Sequence, residues 1–521
     1  MKKILCLALV LVMAIALCSC GNKEETSEQG MTISIMGKPT IPLNKDTDTE
    51  RWLEEKYDVN LEIYSVTASY YEKLGTMLAS GEVPDVMFIN EPSSWQPLVD
   101  QDFIAEIPVE KIKKYAPRHY AAVEEVDSRI WSICSYKGKN FAMPKMMGEE
   151  TDTVMLWRKD WLEKCGITKL PVTLDEYEDA YIKIRNNDPD GNGKKDTYGM
   201  TGCGGATEKQ FDIIFGAFGT MPGQWFVKDD IVENGTVSEN AKKALELLHR
   251  WYDLELIDPE MITDTQAELL SKFISGRTAS FNTKIGNIIS STTTGINNKN
   301  NFEGTNPGKV WEEDTAYGNL PTGANGERGG WLWGPRANFA VLGSHLENDE
   351  EKLAKILGML DDICYDEEVA TRVVWGEKGV HYDYSDPSVG AESGLQYLPP
   401  YNADSNARAE EGIGGFFSLF APESNWADVK ITRKYMDPFL LSENDKYYNN
   451  GNYHDELMRP HLESSTLYQL ELDRIKTTAY SDFITGKRDL SEWDEFVAEY
   501  MKKGGEQLQK EAQKFYDENM K

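Results

Sequence analysis

Residues 31–89 alternate strand and helix patterns, and that alternation leaves few folds open. Met31, Ile33 and Ile35 alternate with Thr32 and Ser34, a period of two that predicts a strand. Thr49 to Tyr57 has helical spacing, with Trp52, Leu53 and Tyr57 on one side. Leu61, Ile63 and Tyr64 suit a second strand, Tyr70 to Ser80 a second helix stopped by Gly81, and Val86-Met87-Phe88-Ile89 a buried third strand after Pro84. Strand–helix–strand–helix–strand is the signature of a mostly parallel sheet. Such sheets take ligands in the crevice beyond the carboxyl ends of their strands, here the loops Gly37–Asn44 and Asn90–Trp95.

The chain is longer than one such unit. At 521 residues it exceeds the roughly 100–200 residues of a typical domain and predicts two or more. Hydrophobic residues at 40% and aromatics at 11% are enough for a sizeable core. The mean hydropathy of −0.52 argues against a polytopic membrane protein. The formal charge is −32, and a body this acidic repels nucleic acid and anionic lipid alike. No nucleic-acid partner is expected.

The first residues read differently. Lys2 and Lys3 precede an unbroken apolar run from Ile4 to Leu17, then Leu17-Cys18-Ser19-Cys20. A positive start, a short apolar stretch and small residues before a cut site make a secretory signal; the run falls short of the ~20 residues a membrane span needs. Leu-x-Ser-Cys resembles the lipobox of bacterial lipoproteins. That resemblance implies cleavage before Cys20 and lipidation of its thiol with acyl chains such as palmitate. Residues 21–30 (GNKEETSEQG) carry no apolar side chain and read as a tether, spanning roughly 15–20 Å as a flexible coil. Beyond the leader four cysteines remain, Cys134, Cys165, Cys203 and Cys364. Their irregular spacing offers no metal motif and no dense disulfide framework; buried free thiols are expected, with room for one disulfide.

Further along, Thr173-Leu174-Asp175-Glu176 is a capping box with Val172 placed to staple Tyr177. Ser238 caps a helix carrying Leu245, Leu248 and Tyr252, and residues 283–309, rich in Asn, Thr and Gly, read as a loop. Leu353, Ile356, Leu357, Leu360 and Ile363 mark another helix, and the last runs from Ser491 to about Tyr516 with a break at Gly504-Gly505.

The sharpest local motif is Asp188-Pro189-Asp190-Gly191-Asn192-Gly193-Lys194-Lys195-Asp196. Oxygen side chains at every second position, spaced by glycines, let a short loop wrap a hard cation. Asp188, Asp190 and Asn192 take positions 1, 3 and 5 of an EF-hand-like loop; the Lys194 carbonyl and Asp196 follow at 7 and 9. Position 12, where a bidentate glutamate belongs, is Gly199. The alternative is an Asp/Asn/Gly turn without metal. If a metal binds, the place after a helix fits structural Ca2+ and not a catalytic centre.

Trp95, Trp225, Trp331, Trp333 and Trp375 stand beside Gly, Pro, Ser or Asn, outside the clear helical stripes. Sugars stack their C–H faces on such rings, so these five are candidate ligand contacts, with Asn90, Glu91 and Arg336 as polar partners. Core packing is the alternative for each, and it is the reading for Trp157, Trp161, Trp251 and Trp493. Catalytic patterns are absent: no Gly-x-Ser-x-Gly, no His-Glu-x-x-His, no P-loop, and six histidines without a short-spaced pair. Among 87 acidic residues, carboxylate dyads for glycoside hydrolysis occur by chance and stay open.

With these residues in view, the chain resembles the extracellular solute-binding lipoproteins of carbohydrate ABC importers, family 1 type. Within them it is most like the long calcium-loop subfamily that includes alginate-binding proteins. The likeness runs through Leu78–Val86 (LASGEVPDV), Met155–Leu162 (MLWRKDWL), Asp188–Gly199, Phe215–Gly219 (FGAFG), Phe273–Ala279 (FISGRTA), Gly376–Tyr382 (GEKGVHY) and the ending from Phe483 (FITGKRDLSEWDEF). It implies an α/β, two-lobe periplasmic-binding-protein-like (Venus flytrap) fold whose hinge strands cross three times. The lobes would be 31–150 with 282–365 and 151–281 with 366–521, after a 1–20 signal peptide and the 21–30 tether. The family's calcium ligands map onto Asp188, Asp190, Asn192, Lys194 and Asp196, and Thr197 stands where relatives carry a further acid. The implied role is carbohydrate transport: a monomeric substrate-binding protein, not an enzyme. It would be lipid-anchored on the extracytoplasmic face of the cell membrane and deliver an oligosaccharide to ABC permease subunits. The rivals are a secreted polysaccharide-degrading enzyme and a sugar sensor for a membrane histidine kinase. The charge of the sugar stays open: the net charge disfavours an acidic glycan, and a cationic patch around Arg336 would override it.

Overall fold

The computed structural model describes residues 30–39, 41–146, 153–204, 210–284, 298–332, 334–402, 404–420, 442, 446–447 and 450–521. The leader, Cys20, most of the tether and Trp333 lie outside the described residues.

β1 (Met31–Gly37) buries Ile33, Ile35 and Met36. α1 (Asp48–Tyr57) opens on a capping box: the Thr47 hydroxyl accepts from the Glu50 N–H and the Glu50 carboxylate from the Thr47 N–H. Two otherwise unpaired donors around the helix start are satisfied that way. β2 (Val59–Ser65) alternates buried and exposed residues, α2 (Tyr70–Ala79) buries Tyr70, Leu74 and Leu78, and β3 (Val86–Ile89) is buried throughout. β1 lies between β2 and β3 and parallel to both, with Ile35 opposite Ile63 and Val86. α3 (Pro92–Val99) leads away, and β4 (Ala142–Met146) returns.

The chain then enters a second body. β5 (Thr153–Arg158) is buried along its length. α4 (Leu174–Asn187) begins at the expected capping box, but Val172 stays exposed and donates its N–H to Glu176. α5 (Asp212–Ala217) and α6 (Glu239–Asp253), the latter capped by Ser238, follow. β6 (Ser280–Lys284), α7 (Asn298–Thr305), β7 (Thr315–Gly318) and β8 (Gly330–Trp331) complete this stretch, with β6 and β7 flanking β5 antiparallel.

β9 (Arg336–Leu342) re-enters the first body antiparallel between β3 and β4, so that sheet runs β2–β1–β3–β9–β4. α8 (Glu350–Tyr365) and α9 (Glu367–Trp375) meet at Asp366, whose carboxylate accepts from the Glu368 and Val369 N–H groups. α10 (Gly415–Phe420) is followed by β10 (Asn452–Tyr453), α11 (Ser465–Thr485), α12 (Trp493–Tyr500) and α13 (Glu506–Asn519). The break between the last two falls at Gly504, φ 131°.

The pleat sorts the first sheet into two cores. Ile35, Val86 and Phe88 face one side; Met36, Met87 and Ile89 face the other. The second body has one large core around Trp157, Tyr181, Phe215 and Trp251 and a smaller one around Val154, Leu156, Phe302 and Trp311.

Two segments depart from the expected division. Residues 298–332 pack with the second body, not the first, because Phe302 and Trp311 stack edge-to-face at 5.3 Å over β5 and β7 pairs with it. Residues 366–420 stay with the first: Asp366 restarts the helix at once, and Val369, Val373, Phe416 and Leu419 share the core of Ile33 and Val86. The stretch expected as loop at 283–309 includes the end of β6 and all of α7. All four cysteines are free thiols, three of them buried.

Candidate functional site

The bodies meet where β8 hands over to β9 and where β10 runs on to Arg459. β8 and β10 pair in parallel, Gly330 opposite Asn452 and Trp331 opposite Tyr453. After β10 the chain reaches into the first body: Met458 is buried in its core. It turns through two consecutive left-handed residues, Met458 at φ 57° and Arg459 at φ 55°. Such a pair is strained for non-glycine residues and persists only when its surroundings hold it. The holder is Arg336, at the head of β9 and fully buried. Its Nε donates to the Met458 carbonyl at 3.0 Å and its Nη1 to that of Ala337 at 3.1 Å. Its Nη2 donates to the carbonyls of Met458 and Arg459 at 2.9 and 2.7 Å and to Glu91 at 3.1 Å.

Glu91, at the carboxyl end of β3, also accepts from Arg459 at 3.0 Å. Asp455 completes the floor, accepting from the N–H groups of Trp225, Leu457 and Arg459. Burial pushes its carboxyl up to about 6 despite those bonds. Burial, and then the neighbouring Arg336 charge, pull the Arg459 guanidinium down to about 10. Separately, at the outer edge of the first sheet, a groove of about 640 Å³ opens at the ends of β1 and β2 along α2, bounded by Met36, Ser65, Val66, Ser69, Lys73 and Thr76 and by none of the floor residues. That is where a parallel sheet is expected to receive a ligand. The end of β1 itself is closed over by α10: a side chain at Gly37 would meet Leu419 at 2.3 Å.

The tryptophan candidates separate. Trp95 is wholly buried in the first body, 6.1 Å from Phe339, and Trp225 is buried in the second body's core; neither ring is available to a ligand. Trp375 packs on Tyr397 at 4.5 Å and near Tyr382. Their Gly, Pro and Ser neighbours mark the ends of buried elements, a context that looks like loop in sequence. Trp331 is half-buried in β8, its backbone N–H donated to the Asp212 carboxylate at 3.0 Å. Asn90 is exposed beside Glu91. Asp212, Tyr453, Asp455 and Arg459 were not singled out by sequence; the run 452–459 has no periodicity to set it apart from a surface loop.

In the loop after α4, the Asp188 Oδ2 accepts from the Gly193 N–H at 2.9 Å. Its other oxygen is buried without a hydrogen-bond partner. The Asn192 amide nitrogen lies between carboxylates, donating to Asp190 at 2.7 Å and Asp196 at 3.1 Å. Partial burial, then the neighbouring Asp188 and the charge of Asp196, hold the Asp190 carboxyl above its usual range; Asp190, which keeps the proton the two carboxyls compete for, holds Asp188 below it. Among the described residues no group of three or more His, Cys, Asp or Glu side chains stands gathered to hold a metal. The donor set nevertheless suits a hard cation: crowded carboxylates, one orphaned buried oxygen, and an amide that presents oxygen when rotated. Position 12 cannot contribute, since a side chain at Gly199 would meet the Tyr181 ring at 2.3 Å. Nor does Thr197, whose buried hydroxyl donates to the Ile184 carbonyl.

Residues 40–342 match the family model for bacterial extracellular solute-binding proteins. Lipoprotein LipO of Bacillus subtilis (strain 168) is 25% identical over 522 residues, covering 96% of each chain. The fructooligosaccharide ABC transporter substrate-binding protein FusA of Streptococcus pneumoniae serotype 4 is 24% identical over 272 residues, 47% of this chain and 50% of FusA. Among solved structures, an HMO-binding ABC-transporter-associated solute-binding protein from Bifidobacterium longum infantis superposes with a TM-score of 0.68 at 16% identity, over 94% of this chain and 99% of that one.

Proposed function

The chain belongs to the family of bacterial extracellular solute-binding proteins, and from that premise we propose that it captures an oligosaccharide between its two bodies for an ABC permease. Its family consists of binding proteins, not enzymes, and nothing favours a polysaccharide-degrading activity or a kinase-linked sensor. The observation that carries the reading is the crossing between the bodies, where Glu91, Arg336 and Arg459 are joined and the β8–β10 pair carries the half-exposed Trp331. The saccharide-binding roles in the names of FusA and of the polygalacturonan/rhamnogalacturonan-binding protein YtcQ of Bacillus subtilis support a glycan as ligand.

A ligand that touches both bodies binds better when they are closed, and that difference in affinity drives hinge closure. The closed monomer then docks on the permease. Cys20, lipidated after signal cleavage, holds the body to the outer face of the cell membrane through the 21–30 tether. Asp188, Asp190, Asn192, Asp196 and the Lys194 carbonyl would hold Ca2+, which when bound supplies charge neutralisation to the crowded loop.

Calorimetric titration of the full chain with an oligosaccharide panel and a peptide control tests the reading. Saturable binding of at least one oligosaccharide is expected, weakened roughly tenfold by Trp331→Ala through loss of the stacking face. Tight peptide binding with no oligosaccharide bound overturns it.

A further inference from the structure

Trp331 is the indole assigned to the ligand above, and the groups that aim it lie on its backbone. β8 is two residues long and has β10 as its one neighbouring strand among the described residues. Along a strand, successive N–H groups point to opposite edges and successive side chains to opposite faces. The N–H groups of Gly330 and Leu332 go to β10, accepted by the Gly451 and Tyr453 carbonyls at 3.4 and 2.9 Å. The Trp331 N–H therefore points away from β10, and alternation sets its indole on the face opposite the buried Leu332. A ladder this short, bonded along one edge, is free to roll about that edge, and the roll decides where the indole faces.

Asp212 supplies the second edge. It is buried in α5, and its Oδ2 accepts the Trp331 N–H at 3.0 Å, in the place where a third strand would put a carbonyl. Its Oδ1 accepts from the Asn282 side-chain amide at 2.9 Å. Asn282, in β6, is held in turn: the Gln210 side chain accepts from its backbone N–H and donates to its carbonyl, both at 3.0 Å. The carboxylate is thus tied to the sheet of the second body as well as to the strand it holds. Just past Trp331, the buried Gln224 amide donates to the Leu332 and Tyr453 carbonyls at 3.1 and 2.9 Å, fixing both strands to the same body.

We propose that Asp212 is a positioning residue for ligand binding: through its bond to the Trp331 backbone it sets the roll of β8, and so the face that the indole offers to a sugar ring. The inference rests on the reading that Trp331 stacks on an oligosaccharide. Asp212 itself meets no ligand, and its whole contribution to affinity passes through the indole. A hydrogen bond to an ionised acceptor is stronger than a neutral one, which suits a strand with so little ladder of its own.

The test is a double-mutant cycle in the full chain, in detergent. The probe is the tightest binder found by calorimetry among fructo-, malto- and xylo-oligosaccharides and oligogalacturonates. Asp212→Ala is expected to weaken binding about fivefold in the parent and by less than about twofold in Trp331→Ala, where no indole is left to aim. Asp212→Asn keeps an oxygen for the Trp331 N–H, and the Asn282 amide can turn its unpartnered buried Oδ1 toward the new amide; it should recover most of the loss. Asn282→Leu frees the carboxylate without removing it, and carries the cycle should Asp212→Ala not fold: a loss of about two- to threefold that vanishes without the indole. Equal losses with and without the indole, Asp212→Asn as weak as Asp212→Ala, parental affinity in both Asp212→Ala and Asn282→Leu, or parental affinity in Trp331→Ala each overturn the inference and leave the glycan reading intact. Binding of the peptide control with no oligosaccharide bound overturns both.

Discussion

The crevice floor and the loop after α4 are both built from clustered charge, and they treat it in opposite ways. At the floor, Arg336 is fully buried and its donors meet three carbonyls and a carboxylate. In the loop, Asp190 is exposed, a buried Asp188 oxygen lacks a hydrogen-bond partner, and an amide nitrogen sits between carboxylates. Around Arg336 the network is finished, and around Asp188 it is not. A finished network resists change because removing one member strands the rest; an unfinished one responds to whatever completes it.

The contrast breaks first at Arg336. Arg336→Met is expected to cost about 3–5 kcal/mol in urea unfolding, since it strands the Ala337, Met458 and Arg459 carbonyls in a buried site and leaves Glu91 to Arg459 alone. A loss below about 1 kcal/mol would mean that the floor is not a fastener.

The next effect is in pH. A carboxyl raised to about 6 in the folded state binds protons that the unfolded chain has released, so its contribution to stability falls as pH rises from about 4 to 6. Asp455→Asn removes that slope: relative to the parent, the variant gains up to about 3 kcal/mol across the window. Parallel stability–pH curves for the two proteins would show that Asp455 is not the titrating group.

The loop should answer to cation. Ca2+ at a hundred times its Kd is expected to add about 2.7 kcal/mol to stability, read as a rise in Tm that Asp190→Asn sharply reduces. An unchanged Tm in the parent would assign the motif to a turn without metal. Smallest is the cap that positions this loop at the other end of α4: Thr173→Ala should cost about 1 kcal/mol, with the Ca2+ response kept.

How legible each region was follows from the range of its contacts. The α/β two-lobe fold expected from residues 31–89 and from the motif order is the fold that its solved relatives share. That Asp190, Asn192 and Asp196 come together in one loop could be read because they lie within nine positions and their spacing is itself the geometry. The floor could not, because Glu91, Arg336, Asp455 and Arg459 meet across some 370 positions of chain. Arg336 and Glu91 were named from their loops, but as ligand contacts; nothing in the sequence says that a guanidinium will be consumed by carbonyls 122 residues away. The tryptophans show the same limit, since a neighbouring glycine or proline marks where an element ends and not whether the ring beside it meets solvent. Trp95 and Trp225 were misread on that account.

The pairing of β8 with β10 has a mechanical corollary. Both strands leave one body in the same direction and end in the other, one as β9 and the other at the Met458 tip. Laced together, they form a single axle, so the bodies swing about one line instead of wobbling about two. A substitution that unlaces this ribbon would show itself as added freedom of the whole molecule, with each half still intact.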